Sequence, residues 1–104
     1  MLPRQEILGK LIPLVEGKVE QQVVPVMTRL LALWSITNAG INQPQLIEPI
    51  MFALFSNPAE PTEIRISAFN ALIKLNPSIP VFHKIAARFV NFINFINFVN
   101  FWNF

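Results

Sequence analysis

Apolar residues recur at three- and four-residue steps along most of this chain, and the breaks in that rhythm divide it into five helical segments. Ile7, Leu8, Leu11, Ile12 and Val15 mark the first, predicted over residues 4–16 with Gly17 as its stop. The second is predicted over 24–38 and ends before Gly40. The third starts near Gln43, with Pro44 suited to a first-turn position, and ends before Asn57-Pro58. Pro61 opens the fourth and Asn76-Pro77 closes it. The fifth begins after Ser78, a favourable N-cap, and is predicted to run to about Val90. Pro13, Pro25 and Pro49 lie too deep for first-turn residues and predict kinks or later helix starts.

The segments are not independent of one another. Arg29-Leu30-Leu31-Ala32-Leu33-Trp34-Ser35-Ile36 and Arg65-Ile66-Ser67-Ala68-Phe69-Asn70-Ala71-Leu72 share one pattern thirty-six residues apart: Arg, aliphatic, any, Ala, apolar, two free, aliphatic. At the same offset Pro13 falls on Pro49 and Pro44 on Pro80. A fixed period of this size is what stacked helical hairpins produce, because one hairpin cannot bury its apolar face without a neighbour. The pattern therefore predicts an all-α fold, a fragment of an α-α superhelix (a HEAT-like right-handed solenoid) of about two and a half hairpins over residues 1–90. Neither end carries a polar capping face, so the chain reads as a slice of a larger solenoid with exposed ends.

On a helical wheel the fourth segment divides cleanly. Glu63, Ser67, Asn70 and Lys74 share a narrow face, and Ile64, Ala68, Ala71, Leu72 and Leu75 share the broad opposite one. Arg65 falls on the apolar side, as does Arg29 in the repeat. Both read as structural residues whose stems pack between helices while the guanidinium meets carbonyls or a carboxylate of the next hairpin. One repeat earlier, the polar face becomes Met27, Leu31, Trp34 and Asn38. A helix apolar on nearly all sides is covered on both, so Met27, Leu31 and Trp34 form a candidate patch facing lipid, a partner or another domain.

The last fourteen residues break the pattern. Asn stands at 91, 94, 97, 100 and 103 among Phe, Ile and Val. Steps of three wind the asparagines round a helix without making a polar face, and they do not match the two-residue alternation of a strand. Residues 91–104 therefore read as a low-complexity tail with no part in the fold. The interspersed amides also leave no apolar run long enough for a transmembrane segment.

Composition narrows the chemistry. Apolar residues make up 53% of the chain and charged ones 13%, about half the usual charged share, so the surface expects to be covered. The net charge of +2 comes from basic residues spread along the chain, and no basic stripe for nucleic acid results. Cysteine, tyrosine and aspartate are absent. The lone histidine, His83, aligns in the repeat with Ile47 and reads as a packing residue. Glu60 and Glu63 flank a helix start, where negative charge favours the dipole. Gly9, Gly17 and Gly40 make no phosphate loop. No catalytic, metal or cofactor site can be assembled, and the N-terminal residues lack the apolar core of a secretory signal. The expectation is a non-enzyme.

The run from Phe55 to Phe69, with Glu63-Ile64-Arg65-Ile66-Ser67-Ala68-Phe69 at its centre, followed by Asn76-Pro77-Ser78, resembles a recurring helix start in the large lipid transfer proteins. Those are the vitellogenins, the apolipophorins and the microsomal triglyceride transfer protein. Leu14-Val15-Glu16-Gly17-Lys18 and Arg29 to Trp34 suit the preceding hairpins of that helical domain, so the resemblance covers about residues 4–90. It implies a piece of a two-layered α-superhelix that, in the family, wraps around β-sheets lining a lipid cavity. It also implies an extracellular parent protein in which lipid and neighbouring domains are the partners. The competing reading from the residues is a HEAT-like interaction module that binds a partner helix through Met27, Leu31 and Trp34.

Overall fold

The computed structural model describes residues 4–19 and 22–102. It contains α1 (Arg4–Glu16), α2 (Val26–Ala39), α3 (Pro44–Ser56), α4 (Thr62–Lys74) and α5 (Ile79–Trp102). α1 packs on α2 and α3 on α4, as two hairpins. α2 lies against α4 and α3 touches α5, so α2 and α4 share one layer while α3 and α5 share the other. The fold is an all-α, repeat-like arrangement, in keeping with the thirty-six-residue period. One addition escaped the periodicity: β1 (Lys18–Val19) pairs antiparallel with β2 (Gln22–Val23), with Lys18 opposite Val23 and Val19 opposite Gln22. Gly17, at φ 74°, supplies the left-handed residue that ends α1 and turns the chain into this ladder.

The helix starts carry the repeat down to the backbone. α2 begins two residues later than expected because Pro25 is its N-cap, at φ −58° and ψ 147°. Pro61 caps α4 at φ −56° and ψ 147°. The amides of Arg29 and Arg65 donate the first helical bonds to these two proline carbonyls, at 3.0 and 3.1 Å. α1 and α3 run on through Pro13 and Pro49, each without the helical bond that proline cannot donate. At the end of α4, Asn76 takes φ 54° and Pro77 prevents continuation. Along α4, Ile64, Ala68, Ala71, Leu72 and Leu75 are all buried, and Glu63, Asn70 and Lys74 are exposed.

Two expectations for the C-terminal region are corrected. Helix α5 does not stop at Val90; it continues through the asparagine-rich stretch to Trp102. The reason is an apolar stripe that crosses the boundary: Ile85, Phe89, Phe92 and Ile96 follow one another at steps of four, three and four, which is one face of a helix. Ile85 and Phe92 are buried, and Phe89 and Ile96 pack against the core. The asparagines at 91, 94, 97 and 100 are exposed and need no common face of their own. Residues 92–96 thus belong to the fold, against the expectation of a tail without a role. His83, expected to pack, is exposed. Ile85, two residues further on, is buried in its stead.

Phenylalanines tie α5 to the second hairpin. Phe55 meets Phe92 edge-on at 5.8 Å between ring centroids and Phe69 at 5.3 Å. Phe69 in turn stacks on Phe89 at 4.7 Å. The ladder spans α3, α4 and α5, and such pairs contribute about 0.5–1.5 kcal/mol each beyond their burial.

Candidate functional site: an apolar groove and two buried arginines

Arg29 and Arg65 are 8% and 6% exposed. Each holds its own hairpin together by the same bond, reaching back to the helix before it. Arg29 Nε donates to the carbonyl of Val15, and Arg65 Nε donates to that of Phe55, both at 3.0 Å. Val15 and Phe55 are the penultimate residues of α1 and α3, whose last carbonyls have no partner within the helix. A cation there both satisfies a carbonyl and complements the negative helix end.

The outer ends of the two guanidiniums differ. Arg29 Nη2 lies 2.7 Å from Glu60 Oε2, a contact between the first hairpin and the loop of the second. That loop is shaped for the task. Asn57, extended because Pro58 follows, accepts a bond from the amide of Ala59 on its side-chain oxygen and one from the amide of Glu60 on its carbonyl. The resulting turn projects Glu60 back towards Arg29. Arg65 has no carboxylate within reach among the described residues, and its Nη1 is buried without a hydrogen-bond partner. Its guanidinium instead lies 4.5 Å from the ring centroid of Phe92 and 5.6 Å from that of Phe95. Burial pulls its pKa below the ordinary arginine value.

On the α2 and α4 layer lies an open groove of about 930 Å³. Leu30, Leu31, Leu33, Trp34 and Thr37 of α2 line one wall, and Phe69, Ala71 and Ile73 of α4 line the other together with Ser67, Asn70 and Lys74. Met27, Leu31 and Trp34 are 66%, 58% and 61% exposed. Leu31 and Trp34 line the groove, and Met27 stands one turn earlier, outside it. The polar groups of α2 do not interrupt this face, because Ser35 Oγ and Thr37 Oγ1 donate back to the carbonyls of Leu31 and Leu33. The wheel did not reveal the α4 wall. It marked Ser67, Asn70 and Lys74 as solvated, while Phe69 and Ile73, interleaved with them, carried the only sign of apolar surface.

Among the described residues no three His, Cys, Asp or Glu side chains come together to hold a metal, and no helix is long and apolar enough to cross a membrane. The site can shield apolar surface and fix helix ends. No solved structure matches the chain. A family model described as the vitellogenin TPR domain matches residues 4–91.

Proposed function

The chain belongs to the vitellogenin TPR domain family, a family related to lipid transport, and on that premise we propose that it is helical scaffold of an extracellular vitellogenin- or apolipophorin-like lipid carrier. The observation that carries this reading is the groove between α2 and α4. A folded helical layer with its core already filled still presents Met27, Leu31 and Trp34 to the outside. Large apolar surface of this kind is covered in a working protein, and in a lipid carrier the cover is acyl chain or the domain that lines the lipid space. The scaffold contributes shape and apolar surface to lipid transport and performs no catalysis.

Flotation of the full chain with an emulsion of triacylglycerol and phosphatidylcholine tests this. The wild-type chain is expected to rise with the lipid, and Leu31→Glu/Trp34→Glu to stay in the aqueous layer with unchanged helicity. Equal flotation of both proteins would remove the groove from the lipid-facing role. If neither floats, the face is a seat for protein, as in the interaction-module reading.

A further inference from the structure

Arg65 opens onto a pocket of about 240 Å³ lined by Ser56, Pro58, Arg88, Asn91 and Phe95. Every polar group on that wall can donate a hydrogen bond, and no acidic side chain lines it. Two of the groups are buried and unpartnered among the described residues: Nη1 of Arg65 and the hydroxyl of Ser56. Buried polar atoms are nearly always paired, so two open donors on one cavity leave room there for an acceptor.

The repeat identifies the acceptor. Arg29 makes the same carbonyl bond as Arg65, and its outer face is closed by Glu60, presented by the turn that opens the following helix. At Arg65 the corresponding space holds Phe92 and Phe95, which cover the guanidinium without satisfying Nη1. We propose that the Arg65 pocket is a docking socket for a glutamate carried by a turn that opens a further helix, a partner segment of the Asn57–Glu60 kind. Arg65 supplies the charge-assisted bonds, with Ser56 and Asn91 as neutral donors and Arg88 as a second cation at the mouth. Phe95, partly exposed, turns aside to admit the carboxylate. This inference stands apart from the lipid reading, since it concerns what adds to the stack and not what covers its groove.

The test is titration of the isotope-labelled full chain with a synthetic peptide of residues 57–75, observed at the side-chain Nε–H resonance of Arg65. The peptide is expected to shift that resonance, and the same peptide with Glu60→Gln to bind at least about tenfold more weakly, the loss of one charge-assisted bond. Octanoate serves as a carboxylate without the turn. Equal binding of the two peptides, no shift with either, or a shift with octanoate alone would each overturn the proposal. Because the discriminating change lies in the peptide, the fold of the protein is untouched.

Discussion

Glu60 illustrates what one residue contributes here. Its carboxylate is the counter-charge of a buried guanidinium, so Glu60→Gln leaves Arg29 charged and unpaired in a dry site. A loss of about 2 kcal/mol is expected in denaturant unfolding. Glu63→Gln, exposed in the first turn of α4, should stay within about 0.5 kcal/mol. Gly40 offers a second single-residue test. A Cβ there would overlap the side chain of Ile47, so Gly40→Ala should cost about 1–3 kcal/mol although its backbone angles are ordinary. Periodicity placed both arginines on the apolar side of their helices, because that follows from spacing alone. It did not select Glu60 among six glutamates. That choice depends on the Asn57-Pro58 turn, whose direction is a tertiary property.

At the scale of the helix, α5 shows where local pattern misleads. A three-residue repeat of asparagine looks irregular when the polar residues are tracked. The apolar residues tell otherwise, since Ile85, Phe89, Phe92 and Ile96 form one stripe through the supposed boundary. Phe92→Ala removes the ring that meets Phe55 and covers Arg65, and should cost about 3–5 kcal/mol by thermal or denaturant unfolding. Val90→Ala, on the exposed side of the same helix, should stay within about 0.5 kcal/mol. If the two substitutions cost the same, residues beyond 90 would have no share in the core. The other helices were legible to within two residues, because prolines and glycines punctuate them at positions where the backbone has little choice.

As a whole the molecule is a slab with principal extents of 49 × 36 × 16 Å. A body so thin has a high ratio of surface to interior, which is why so many large apolar side chains remain outside a filled core. The stack of helical hairpins was legible from the thirty-six-residue period. The groove was not, because it needs α2 and α4 side by side before Phe69 and Ile73 can face Leu31 and Trp34. Exposed apolar surface of this extent should make the isolated chain self-associate as concentration rises. Sedimentation velocity is expected to show larger species for the wild-type chain and a return towards monomer for Leu31→Glu/Trp34→Glu.

The carbonyl bonds of the two arginines are spaced differently in sequence. Arg29 reaches back fourteen residues to Val15, while Arg65 reaches back ten to Phe55. The four additional residues lie in the connection that carries β1 and β2. Helix register within a hairpin is therefore held by a clamp at the helix end and is indifferent to the length of the link. A link freed from that duty can grow, shrink or acquire a tag while the helices keep their seats, so the segment around Lys18 to Val23 is the place where an epitope or a fluorescent reporter can enter this chain at least cost.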